Sequence, residues 1–169
     1  ASITDEQIAH LRRHTSPHEV GMRLRLIGNG LARQYLWEDA IPLYRKAEHL
    51  FGPASSEAAR SACIIATAYT DLGDYEKADV EVARIQRVYG SVADPETKVR
   101  LSDIQGVLAY YRGDLLAAQA RFLNTLAMVH DIGAAYLGET AQHFLGRTYA
   151  ALAAGTANRH DADAWFAEA

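Results

Sequence analysis

The chain has 169 residues, 49% of them apolar and 22% charged, which is enough material to bury a core as one domain. Its 17 Lys and Arg against 21 Asp and Glu leave a net charge of −4, which neither recommends nor forbids a nucleic-acid partner, so any basic surface must be local. No apolar run reaches the roughly 18 residues of a membrane span, the first residues lack a signal-peptide plan, and the single cysteine, Cys63, excludes an internal disulfide; a reducing, cytoplasmic setting is the expectation.

Alanine and other strong helix formers dominate, Pro is limited to four positions and no strand-like alternation appears, so the fold class reads as all-α. Residues 1–15 carry Ile8 and Leu11 three apart and Arg12-Arg13, and read as a short N-terminal helix or a linker. Ser16-Pro17-His18-Glu19 then opens a helix: a capping hydroxyl, proline at the first helical position and a glutamate three residues after the cap. Further breaks fall at Phe51-Gly52-Pro53, Asp71-Leu72-Gly73-Asp74, Tyr89-Gly90, Asp94-Pro95-Glu96 and Arg112-Gly113-Asp114, with a looser one at Ala154 to Asn158. Ser55-Ser56 and Asp94-Pro95 supply caps of the same kind. Helices between short connections make neighbours antiparallel, and the breaks divide the chain into four hairpins over 17–53, 55–90, 94–132 and 134–169.

These hairpins are copies of one another. Tyr35-Leu36-Trp37-Glu38-Asp39-Ala40 aligns with Gly73-Asp74-Tyr75-Glu76-Lys77-Ala78 and with Gly113-Asp114-Leu115-Leu116-Ala117-Ala118. A small residue precedes each alanine by the same interval, Gly28, Ala66 and Gly106, and a bulky one follows it, Tyr44, Val82 and Phe122. Gly146, Ala162 and Phe166 make a fourth copy with a longer turn. Tyr35 departs from the pattern, standing where the other copies have Gly. Small residues are wanted where two helix backbones approach, and bulky ones fill the gap beside them. One hairpin cannot bury its own apolar face, so such units stack. The pattern resembles the tetratricopeptide repeat, in the long-repeat form attached to bacterial signalling and transcription regulators. That resemblance covers nearly the whole chain from Pro17 and implies a single right-handed superhelical solenoid of antiparallel helix hairpins, about four repeats plus the short N-terminal helix. The missing Met and the end at Trp165-Phe166-Ala167-Glu168-Ala169, inside the fourth pattern, read as a fragment of a longer chain.

In the family the first helices line a concave surface that holds ligands, which implies a groove carrying Arg25, Asn29, Arg33, Arg60, Arg100, Tyr111, His143 and Arg147. Arginine grips carboxylates bidentately, so this basic groove fits an acidic peptide or protein segment. Arg25, Asn29 and Arg100 match three positions of the carboxylate clamp of chaperone-binding members, while Ile64 and Ile104 replace two others. The function so implied is a protein- or peptide-binding interaction or sensor module. The alternative is a self-association scaffold with no ligand groove, in which the apolar end at Trp165 and Phe166 stacks on a second copy.

Other motifs point to chemistry more weakly. His10, His14 and His18 are spaced at four, which lets imidazoles share a metal, but Pro17 starts a new helix and carries His18 off the shared face. His130-Asp131-Ile132-Gly133 spells a metal-dependent phosphohydrolase signature, yet it also reads as a helix end with Gly133 at the exit. Cys63 has no partner base, and Gly28-Asn29-Gly30 lies within a helical pattern without the strand that a phosphate-binding loop needs. The Arg12 to Arg25 end is basic but lacks aromatic platforms or a helix-turn-helix, so no direct nucleic-acid site is assigned. An enzyme, a metal and a cofactor are not expected.

Overall fold

The structure, a computed structural model, describes residues 15–155. Those residues are almost entirely helical and form two compact units, one ending at Ala93 and the other beginning at Asp94. The expected N-terminal segment, His10 and His14, and the Ala162, Trp165 and Phe166 positions of the fourth copy lie outside the described residues. Among the described residues no helix is long and apolar enough to cross a membrane.

The first unit holds α1 (Pro17–Ala32), α2 (Trp37–Phe51), α3 (Ser56–Asp71) and α4 (Tyr75–Tyr89). The Ser16 capping box forms as its residues demand: Ser16 Oγ accepts from the Glu19 N–H at 3.2 Å, and Glu19 Oε2 accepts from the Ser16 N–H at 3.1 Å. Ser55 Oγ caps α3 by accepting from the Glu57 N–H at 3.1 Å. α1 packs on α2, α2 on α3 and α3 on α4. The first pair runs antiparallel, because Gly21 faces Phe51 while Gly28 faces Tyr44. A Cβ at Gly28 would stand 3.0 Å from the Tyr44 ring, so the glycine is what lets this fully buried ring lie against α1. Burying a ring of that size contributes about 2–3 kcal/mol. Tyr44, Ala40 and Ile65 then form the core between α2 and α3.

The second unit holds α5 (Pro95–Tyr111), α6 (Leu115–Asp131), one 3-10 turn (Ala135–Leu137) and α7 (Glu139–Gly155). Asp94 Oδ1 caps α5 through the Thr97 N–H at 2.7 Å. The small-over-bulky pairing recurs here: a Cβ at Gly106 would come within 2.5 Å of the Phe122 ring. Ser102 meets Thr125 through a buried hydroxyl hydrogen bond of 2.9 Å, so α5 and α6 are antiparallel as well. α7 packs on both α5 and α6 and closes a core of Val107, Ala118, Phe122, Ala141, Leu145 and Tyr149. The fourth copy does not start its helix at residue 134. Gly133 leaves α6 at φ +66°, the 3-10 turn follows, and α7 begins only at Glu139.

The turns repeat with one exception. Gly73 and Gly113 sit at φ +75° and +78°, and the aspartate after each caps the next helix, Asp74 accepting from the Lys77 N–H and Asp114 from the Ala117 N–H. Tyr35 takes up the same left-handed conformation at φ +59°, and Leu36 after it offers no capping group. Backbone register therefore overrides residue preference at that one turn.

Candidate functional site

In the first unit the expected groove residues are largely committed to neighbours. Arg25 projects from α1, forms an ion pair with Glu57 of α3, donates to Met22 Sδ at 3.2 Å and lies over the Phe51 ring at 5.5 Å. Asn29 accepts the Tyr44 hydroxyl proton at 2.8 Å, which satisfies the phenol that the Gly28 packing buries. That burial pushes the Tyr44 hydroxyl up to about 12. Arg60 is half-buried on α3. Arg33 is exposed at the C-cap of α1.

In the second unit Tyr111, His143 and Arg147 come together. Tyr110 and Tyr111 end α5, and Phe144 of α7 meets both rings edge-on at 5.4 and 5.9 Å. Phe144 in turn stacks on the buried Phe122 at 5.9 Å, which ties the cluster to the core. The Arg147 guanidinium lies 5.1 Å from the Tyr110 ring centre and 5.3 Å from that of Phe144, and His143 stands edge-on to Phe144 at 5.4 Å. Arg147 and His143 are exposed, Tyr111 is 44% exposed, and Arg147 makes no ion pair among the described residues. Both rings lie within cation–π range of it while its N–H groups stay open to an acceptor. Arg100 is exposed on the first half of α5. Asp103, three residues on, has a buried Oδ1 without a hydrogen-bond partner, and burial raises its carboxyl to about 7 against the weaker pull of Arg100.

The His130-Asp131-Ile132-Gly133 segment is the end of α6, with His130 in the last turn and Gly133 at the exit. His18 packs edge-on against Phe51 at 5.2 Å, and Cys63 is buried in α3. Among the described residues no three His, Cys, Asp or Glu side chains gather where they could hold a metal ion.

One assembly in the first unit escaped the sequence reading. Glu48 of α2 and Glu81 of α4 are only 5% and 4% exposed, and they are bridged by Arg45 and Arg84. Arg45 clasps Glu81 with two parallel hydrogen bonds of 3.0 and 2.9 Å and reaches Glu48 at 2.9 Å. Arg84 pairs with Glu81 and, at 2.6 Å, with Glu48, which also accepts the Tyr89 hydroxyl proton at 2.6 Å. Burial would raise the Glu81 carboxyl, but the hydrogen bonds from Arg84 and Arg45 prevail and hold it below the ordinary value. Burial, with the Glu48 carboxylate beside it, pushes the Tyr89 hydroxyl up to about 12. A cavity of about 810 Å³ opens beside this network, with Pro42, Leu50, Pro53 and Tyr89 among its apolar walls. The signal in the sequence was two Arg–Glu pairs at a spacing of three, Arg45 with Glu48 and Glu81 with Arg84, which on a helix read as a solvated face.

Comparison with models of known protein families gives no match, and neither does comparison with the curated proteins.

Proposed function

We propose that this chain is a tetratricopeptide-like module, a right-handed solenoid of helix hairpins, that binds an acidic segment of another protein. Support for the repeat reading comes from the glycine-against-ring packing of Gly28 on Tyr44 and Gly106 on Phe122, and from the shared left-handed turns at Tyr35, Gly73 and Gly113. The observation that carries the binding role is Arg147, exposed and lying over the Tyr110 and Phe144 rings with no ion pair among the described residues. A guanidinium held over two rings has little freedom left to lose when a carboxylate docks on it, and Tyr111 beside it offers an apolar face to the neighbouring side chain of the ligand. Arginine and tyrosine are the residue types that dominate binding energy at such surfaces. Arg25 and Asn29 serve this role less directly, because a ligand carboxylate there would compete with Glu57 and with the Tyr44 hydroxyl.

The test is fluorescence anisotropy with a labelled peptide of mixed Asp, Glu and Leu and with its Asn/Gln counterpart. Wild-type chain should bind the acidic peptide in the micromolar range, and Arg147→Gln should weaken it about tenfold, the loss of one charge-assisted contact of about 1.5 kcal/mol. Circular dichroism should show the variant folded and within about 1 kcal/mol of its parent, the size of an exposed cation–π contribution. Equal affinity for both peptides, or an unchanged affinity in Arg147→Gln, removes this reading.

A further inference from the structure

The geometry points to a second binding site, separate from the α5–α7 cluster: the cavity between α2 and α4 takes a small organic anion with a flat apolar body. The repeat pattern does not explain the charges buried at its edge. Three residues after the aligned alanine, where α4 has Glu81, α2 has the buried Leu43; eight residues after it, where α2 has Glu48, α6 has Leu126. An apolar residue thus serves each position in one sibling copy, while the remaining copy has Arg121 at the first and Gln86 at the second. Burying carboxylates with arginines is often no more stabilising than packing apolar side chains of similar volume.

The polar capacity left over is mainly that of donors. Both oxygens of Glu48 and both of Glu81 already accept from Arg45, Arg84 or the Tyr89 hydroxyl. Glu81 is fully engaged on both oxygens, and Glu48 keeps one acceptor position, on the Oε2 that takes a single bond from Arg45. Arg45 spends three N–H groups on these carboxylates and has five to give, so two remain without a partner among the described residues. The exposed His49 also lines the cavity, as does Lys46, which has a partner of its own and adds positive charge to the wall. A cation would find one acceptor position, at Glu48 Oε2, whereas a carboxylate or sulfonate meets the two remaining donors of Arg45. The volume, about 810 Å³, lies in the range of small-molecule sites, and Pro42, Leu50, Pro53 and the Tyr89 ring supply surface for an apolar body rather than for a bare phosphate.

The probe is naphthalene-2-carboxylate, titrated into the ¹⁵N-labelled chain and followed by amide chemical shifts, with naphthalene-2-carboxamide as the uncharged control. Saturable shifts should concentrate at residues 45–50 and 84–89, and the carboxamide should bind about tenfold more weakly. Lys46→Glu, which reverses a charge at the wall, should weaken the carboxylate by a similar factor. His49→Trp, on the exposed rim, should block both compounds while the fold is retained, and it decides the matter if Lys46→Glu does not fold. No saturable shift, equal binding of the two compounds, or shifts confined to α5 and α7 would overturn the proposal. The acidic-peptide reading stands or falls separately, since its residues lie in the other unit.

Discussion

Gly73 and Gly113 occupy left-handed backbone positions where an added Cβ would touch nothing within 4 Å, so Gly→Ala there meets a torsional cost without a steric one. Holding an L-residue in that region costs about 1–2 kcal/mol. Stiffening the unfolded chain returns about 0.4–1 kcal/mol, leaving each alanine variant roughly 0.5–1 kcal/mol less stable. Tyr35 reverses the experiment, because it already bears the torsional cost at φ +59° and is 82% exposed, so its ring has little burial to lose. Tyr35→Gly should therefore gain about 0.5 kcal/mol, or about 1–2 °C in Tm for a chain of this length. Urea unfolding followed by circular dichroism, with m unchanged across the set, reads all three variants on one scale. The turn-equivalence argument is refuted if Tyr35→Gly destabilises the chain while Gly73→Ala and Gly113→Ala are neutral.

The two nearby glycines of α1 should respond in opposite directions. Gly30 has open space and should gain up to about 1 kcal/mol as Ala, whereas Gly28→Ala presses on the Tyr44 ring and should lose about 1–3 kcal/mol in the same urea assay. Asp103 gives a pH signature. Its folded carboxyl, raised from 3.8 to about 7, binds a proton more tightly than the unfolded chain does, so stability falls as pH rises between those values and is flat above them. Asp103→Asn should remove that decline, gaining more at pH 8 than at pH 5, with an upper bound on the order of 4 kcal/mol. Glu81 acts in a lower window with the opposite sign: its depressed carboxyl stabilises the fold above 4.5, and that contribution is lost as pH falls below it. Acid titrations of wild type and Glu81→Gln should therefore converge at low pH.

The hairpins were readable because their determinants are local. Ser16, Ser55 and Asp94 cap helices by bonding amides two or three residues away, and the interval between Gly28 and Tyr44 or Gly106 and Phe122 is set within one hairpin. Tyr111, His143 and Arg147 were nameable from their places in the copies, although the ring of Phe144 that gathers them was not. Arg25 shows what linear spacing hides, since its partner Glu57 lies in the next hairpin and no local pattern announces the pair. The Arg45–Glu81 contact is hidden for the same reason, and the burial of its carboxylate sets it apart from an ordinary surface ion pair, although Arg45 itself stays 42% exposed. The start of α7 at Glu139 was missed because Ala135–Leu137 has helical composition but forms one tight turn after Gly133.

Mapping an acidic peptide onto the chain by amide chemical shifts tests the binding account most directly. Saturable shifts at residues 110–112 and 143–148, reduced in Arg147→Gln and weakened by added salt, are what the ring-supported guanidinium predicts. A peptide that binds with its shifts elsewhere, or with the α5–α7 cluster silent, contradicts it.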